Sequence, residues 1–212
     1  MTEDDRQTRI GVMGGTFDPP HIGHLIAAAE VRDRLDLSEI LFIPNREPPH
    51  KTDRQVTRFE DRVAMARLAI ESNVSFKLDL IEIERHGLSY ALDTLRLLRE
   101  RFGSGTRLTF LLGIDAFLEF HTWHEPDAVL AEFELAVMDR PTETSDDARR
   151  AEEWRKLTER FPSVRERVTT VEVPLIGVSS GNIRLRVSEG RSIRYLVPYE
   201  VELYIQERGL YR

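Results

Sequence analysis

The chain has 212 residues, 41% of them apolar, with 12 Gly, 10 Pro, no Cys and a formal net charge of −7. That length and apolar content is enough for a substantial core, which excludes disorder, collagen and coiled coil. The lack of Cys removes disulfide frameworks, thiolate zinc sites and cysteine nucleophiles, and the acidic balance argues against a general nucleic-acid binder, whose affinity rests on basic surface. No stretch approaches the roughly 18 consecutive apolar residues of a membrane helix, and the opening MTEDDRQTR is polar, so the expected location is cytoplasmic, with no membrane contact.

Residues 9–13 and 39–43 read as short buried strands ended by Gly or Pro. Between them Leu25, Ala28, Val31 and Leu35 recur at helical spacing, which makes a βαβ unit. Phe59, Val63, Ala66 and Ile70 predict a second helix; Val74, Phe76, Leu78 and Leu80 then alternate with Ser75, Lys77 and Asp79 as in a strand. Ser89 is placed to cap a helix carrying Leu92, Leu95 and Leu98, and Gly103 and Gly105 break the chain before an apolar strand over 108–112. Phe133, Leu135 and Val137 predict a further strand. The most polar stretch, 142–160, carries Ala151, Trp154 and Leu157 at helical spacing, with Phe161 just beyond, and reads as an exposed amphipathic helix whose charges are solvated. A strand over 168–173 and helices opening near Ser180 and Pro198 complete the chain.

Strands separated by helices of this length call for crossover connections, hence a mainly parallel sheet. The expected fold class is α/β, Rossmann-like and doubly wound, with helices on both faces. Residues 1–212 are expected to form a single domain, with a C-terminal helical part at about 179–212 packed on it. The last helix, with Val201, Tyr204 and Ile205, is suited equally to covering the core and to meeting a second subunit, so a homo-oligomer stays open.

The segment Gly14-Gly15-Thr16-Phe17-Asp18-Pro19-Pro20-His21-Ile22-Gly23-His24 follows the first strand directly and leads into the first helix. In an open parallel sheet, ligands bind beyond the carboxyl ends of strands, where the next helix offers N–H groups and the positive end of its dipole. Phosphate is therefore the expected guest, with Gly14 and Gly15 allowing close backbone approach. His21 and His24 can direct imidazoles at one phosphate from the loop and the first helical turn, meeting charge where it develops in phosphoryl transfer. The alternatives are a simple tight turn and a histidine pair used for packing or metal binding. The spacing fits neither the dinucleotide GxGxxG nor the GxxxxGK[ST] loop.

GGTFDPPHIGH resembles the signature of the HxGH nucleotidyltransferase superfamily, and the whole chain is similar to its bacterial nicotinate mononucleotide adenylyltransferase family. The similarity extends to Asn45 and Pro48-Pro49-His50-Lys51; to Arg85-His86-Gly87-Leu88-Ser89-Tyr90 with Asp93-Thr94-Leu95; and to Gly113-x-Asp115 with Trp123. Near the end it takes in Val178-Ser179-Ser180-Gly181-Asn182-Ile183-Arg184, then Tyr195-Leu196-Val197-Pro198 and Gly209-Leu210-Tyr211. Two positions depart from the family pattern, Gly181 and Ala91, each standing where the family usually has Thr.

The resemblance implies transfer of AMP from ATP to nicotinate mononucleotide. It implies that His21 and His24 hold the α- and β-phosphates, and that Lys51 and Arg184 reach the triphosphate, Arg184 with a planar fork suited to two oxygens. ATP binding is expected to involve Gly14, Gly15, Thr16, Phe17, Gly113, Asp115, Ser179, Ser180 and Ile183. Asp115 is expected to contact ribose, the alternative being a helix cap; the two serines bind phosphate or simply cap a helix. Asn45, Ala91, Trp123, His124 and Arg140 are implied for the mononucleotide, Trp123 stacking on the pyridine ring and His124 offering its amide to the carboxylate. Arg140 either adds positive charge there or is a surface arginine. Mg2+ is expected to arrive with ATP, with no protein ligand named; a zinc site of His21, His24 and His50 is the alternative. The rivals are another HxGH nucleotidyltransferase, acting on nicotinamide mononucleotide or phosphopantetheine, and a non-catalytic nucleotide sensor on the same fold.

Overall fold

A computed structural model of the protein describes residues 8–48, 56–84, 87–139 and 146–212. Six parallel strands form one sheet: β1 (Thr8–Gly15), β2 (Glu39–Pro44), β3 (Phe76–Leu78), β4 (Thr106–Gly113), β5 (Glu134–Asp139) and β6 (Val168–Glu172), in the order β3-β2-β1-β4-β5-β6. Nine helices accompany them among the described residues: α1 (Ile22–Arg34), α2 (Phe59–Ile70), α3 (Ala91–Phe102), α4 (Ile114–Leu118), α5 (Pro126–Glu132), α6 (Asp146–Arg160), α7 (Val164–Arg167), α8 (Ser180–Ser188) and α9 (Tyr199–Glu207). This is the doubly wound α/β fold expected from the alternation of strands and helices.

Because successive residues of a strand face opposite ways, the central strands supply two cores. Ile10, Val12, Phe110, Leu112, Leu135 and Val137 join side chains of α3 to α6, including Leu95, Phe117, Val129 and Leu157. Met13, Phe42, Leu111, Ala136 and Met138 join Ala28 and Val31 of α1, Met65 of α2, Ile183 of α8, and Val201 and Ile205 of α9. The strand order reverses between β1 and β4, and the carboxyl ends of these two strands diverge there into different layers. That divergence opens the crevice in which doubly wound folds bind ligands.

Several expectations need correction. The strand predicted from Val74 is only three residues long: β3 pairs with Ile40 to Phe42, and Val74 is 86% exposed. After it the Asp79 Oδ1 accepts the Ile81 N–H at 2.9 Å and turns the chain into a short 3-10 helix, Ile81–Glu84. Ser89 does not cap α3, whose N-cap is Tyr90; its Oγ accepts the Glu47 N–H at 3.2 Å and its own N–H donates to the Glu47 carbonyl. On α2, Ala66 and Ile70 are buried as expected, but Phe59 and Val63 are only half-buried, and the buried stripe runs instead through Asp61, Arg62, Met65 and Ala69. The helix α6 is amphipathic as expected but less exposed: Leu157, and Phe161 just beyond it, are in the core, and Trp154 packs on Phe117 at 4.9 Å between ring centroids.

Candidate active site

Gly14 and Gly15 are the last residues of β1, in register with Ile43 and Pro44 of β2. A Cβ on Gly15 would lie 3.0 Å from Phe17 Cζ, so any side chain there would make the ring that follows give by a few tenths of an ångström. Phe17 itself takes a positive φ of 48° and sends its ring into the core against Phe42. The turn directs Asp18 inward, where it is 1% exposed and its Oδ1 accepts the Tyr211 hydroxyl at 2.8 Å.

From there the loop is held by groups more than 150 residues away in sequence. Arg184 Nη1 donates to the Asp18 carbonyl at 2.6 Å, the Ser180 hydroxyl donates to the Pro19 carbonyl at 2.8 Å, and the Ile22 N–H donates to the Leu196 carbonyl at 3.1 Å. Arg184 is thus anchored three residues before His21. Ser179 is the N-cap of α8, its Oγ accepting the Asn182 N–H at 3.2 Å.

His21 and His24 lie ring on ring, centroids 3.7 Å apart and planes at 19°. The His21 N–H donates to His24 Nδ1 at 3.2 Å, which makes Nε2 the protonated nitrogen of neutral His24. Gly23 suits this stack, since a Cβ there would lie 3.1 Å from His21 Nδ1 and 3.2 Å from its Cε1 and would press the His21 ring aside by a few tenths of an ångström. The pair can therefore offer imidazole donors side by side to a single anion.

On the neighbouring strand, the Asn45 N–H donates to the Gly15 carbonyl at 2.8 Å. The far wall is aromatic. Tyr90 stacks on His124 at 4.3 Å, His124 Nε2 lies 3.2 Å from Glu125 Oε1, and Trp123 packs against Phe110 and Phe120 at 5.9 and 5.2 Å. Asn45, Tyr90, Phe110, Trp123 and His124 line, with the phosphate loop, a cavity of about 590 Å³, within the range of small-molecule sites.

Of the residues singled out from sequence, Gly14, Gly15, Thr16, His21, His24, Asn45, Ala91, Gly113, Trp123, His124 and Ser179 line that cavity. Others fall beside it. The ring of Phe17 and the side chain of Ile183 are buried in the core, and the Ile183 N–H is donated to the Ser179 carbonyl, so neither side chain faces a ligand. The Ser180 hydroxyl is engaged by Pro19 as described. Asp115, on the first turn of α4, is largely exposed, 3.6 Å from Arg150 Nη2; Arg150 Nη1 lies 3.6 Å from Asp139. Lys51 and Arg140, with His50, lie outside the described residues. A Cβ on Gly181 would meet only ordinary contacts, 3.8 Å from Arg184 Nη2 and 3.9 Å from Ser179 Oγ.

Sequence reasoning missed Arg62. This arginine of α2 is 1% exposed and donates to four carbonyls, those of Thr57 (3.0 Å), Thr16 (2.8 Å), Asn45 (2.8 Å) and Arg46 (3.3 Å). Burial pushes its guanidinium below its ordinary value, opposed by the negative field of Asp18. The only signal was an arginine beside an apolar stripe, which is ordinarily a snorkelling surface residue.

A phosphate-suited loop carrying two imidazoles, set at the switch point of a parallel sheet with a basic helix above it, defines an HxGH-type nucleotidyltransferase. Residues 12–186 match the cytidylyltransferase-like family. More particularly, the chain belongs to the nicotinate-nucleotide adenylyltransferase family. It is 42% identical over 205 residues to a protein of Thermomicrobium roseum named probable nicotinate-nucleotide adenylyltransferase, covering 97% of this chain and 92% of that one. Proteins of the same name from Moorella thermoacetica (40% identical, 98% and 93% covered) and Desulfitobacterium hafniense strain Y51 (43%, 96% and 96%) agree. Among solved structures, the fold resembles Plasmodium falciparum nicotinic acid mononucleotide adenylyltransferase complexed with NaAD, at a TM-score of 0.73 and 20% identity, over 96% of this chain and 97% of that one. The same enzyme complexed with APC gives a TM-score of 0.72, with the same identity and coverage.

Proposed function

We propose that this chain transfers AMP from ATP to nicotinate mononucleotide, forming deamido-NAD and pyrophosphate. The observation that carries this reading is the His21–His24 stack at the carboxyl end of β1, within a cavity whose opposite wall is aromatic. One end suits phosphates and the other suits a flat ring.

The attacking group is the phosphate of the mononucleotide, already an anion, so no general base is required. A new P–O bond forms at the α-phosphorus as the bond to the β-phosphate oxygen breaks, and pyrophosphate leaves with the electron pair. The protein's task reduces to alignment and neutralisation of charge. His24 would donate from Nε2 and His21 from the adjacent ring, with Arg184 and Lys51 reaching the triphosphate. Ser179 and the first turn of α8 would meet phosphate as an N-terminal helix end. At Gly113 a Cβ would meet nothing within 4 Å, so the glycine is not required by the protein's own packing; it leaves room for a nucleotide against the main chain, with Asp115 toward the ribose. Trp123 would stack on the pyridine ring, and main-chain groups of Ala91 and His124 would meet its carboxylate, with Asn45 and Arg140 nearby.

Magnesium would arrive on ATP, held by phosphate oxygens and water, because the groups facing the phosphates are imidazole, guanidinium and amide, which suit anions rather than a hard cation. When bound, that ion offsets phosphate charge. The helices of residues 179–212 belong in this reading to one catalytic domain, since Ile183, Val201 and Ile205 join the core beneath β1. A cytoplasmic location and no nucleic-acid partner complete it; among the described residues no helix is long and apolar enough to cross a membrane.

Pyrophosphate release from ATP and magnesium, measured with nicotinate mononucleotide, nicotinamide mononucleotide and phosphopantetheine in turn, tests the proposal. Release is expected with the first, well above the others. Preference for either of the others would reassign the acceptor, and no release with any would make the protein a nucleotide sensor.

A further inference from the structure

Arg62 sits outside the cavity, yet three of its four acceptors lie on segments that line it. Thr16 belongs to the loop before His21. Asn45 and Arg46 follow β2 on the mononucleotide side. Thr57 lies just before α2, the helix that carries Arg62 itself.

From this geometry we infer that Arg62 is a positioning residue for the transfer reaction: its guanidinium fixes the phosphate loop and the mononucleotide loop in mutual register, so that the two substrates are held in line. This inference rests on the proposed adenylyl transfer.

Three features support it. The donors reach carbonyls on three separate stretches of chain, a spread that a planar fork of N–H groups can span and a lysine ammonium cannot. At 1% exposure there is no water to replace a lost donor, so each freed carbonyl would move to find a partner. The neighbouring Asp61 offers a contrast. Its carboxylate accepts from the Tyr204 hydroxyl at 2.8 Å and from Arg208 at 3.2 Å, tying α2 to the C-terminal helix and its following turn, with no hydrogen bond to either substrate loop among the described residues.

Each loop keeps its own substrate contacts when Arg62 is changed; what is lost is their relative placement. Displacement of reacting groups by about 1 Å costs on the order of a hundredfold in rate. The expected result for Arg62→Lys, assayed well below its melting temperature and normalised to folded protein, is a kcat about a hundredfold lower, with both KM values within about threefold of the parent. Asp61→Asn should lower the melting temperature while leaving kcat within about twofold. A second variant, Arg62→Gly, should recover part of its kcat on addition of guanidinium at millimolar concentration, whereas methylammonium should not restore it.

Should neither variant fold, the unaltered protein decides the matter. Its Arg62 Nε–H, a slowly exchanging arginine signal in a 15N spectrum, should shift on adding either nicotinate mononucleotide or a non-hydrolysable ATP analogue alone. Overturning results are an Arg62→Lys kcat within about threefold of the parent, a fall in kcat matched by Asp61→Asn, or a signal that ignores both ligands. If the parent itself releases no pyrophosphate, adenylyl transfer fails first, and the ligand-induced shift still reports on Arg62.

Discussion

At the end of the cavity nearest β1 the side chains proposed to meet phosphate are fixed by hydrogen bonds to and from main chain: His24 Nδ1 by the His21 N–H, Arg184 just beside the cavity by the Asp18 carbonyl, the loop itself by Ser180 and Arg62. At the far end, Tyr90, Trp123 and His124 are fixed by ring packing. Hydrogen bonds define direction, which transfer of a phosphoryl group needs. Packing defines a slot, which a flat ring needs. The difference implies that damage to the first end should appear in kcat and damage to the second in KM for one substrate.

The sharpest way to break this division is His24→Ala. It removes a donor to the developing charge and should lower kcat at least about a hundredfold while the protein stays folded by circular dichroism. A fall of less than about tenfold would remove that role. Gly23→Ala should follow with a loss of about tenfold, because its Cβ would press on the His21 ring at 3.1 Å; steady-state kinetics reads both. Trp123→Ala should raise KM for nicotinate mononucleotide by several times more than KM for ATP, and equal effects would erase the distinction between the ends.

Tyr211→Phe has the smallest expected effect: it deletes the hydroxyl that donates to Asp18 at 2.8 Å and lies 3.8 Å from Met65 Sδ, and should cost about 1 kcal/mol in denaturant unfolding. Burial, then Asp18, raises the Tyr211 pKa well above its ordinary value. The sign follows from that direction. A group with a raised folded pKa contributes fully below its unfolded pKa, about 10, and loses that contribution as pH climbs toward the folded one. The parent's advantage over Tyr211→Phe should therefore hold steady to about pH 9 and shrink above 10.

The phosphate end was legible because its chemistry is contiguous: strand, glycines, two histidines and helix follow one another within residues 9 to 35, and local spacing reports local geometry. The supports of that end were not. Arg62, Asp18 and Tyr211 meet across separations of up to 193 residues, and no pattern in one stretch announces a partner so distant. Ile183 and Phe17 show the converse limit, since a motif marks positions without saying which side chains turn inward. On the aromatic side the short helices α4 and α5 were missed because five and seven residues hold too little periodicity to register. The strand expected from Val74 failed because alternation alone cannot tell how many residues find a ladder partner.

The most direct test of the whole account is a crystal structure with a non-hydrolysable ATP analogue, magnesium and nicotinate mononucleotide bound together. Phosphate oxygens should lie at about 2.7–3.2 Å from donors of His21, His24, Lys51 and Arg184, with the pyridine ring on Trp123. A triphosphate bound elsewhere, or imidazoles turned away from it, would contradict the account.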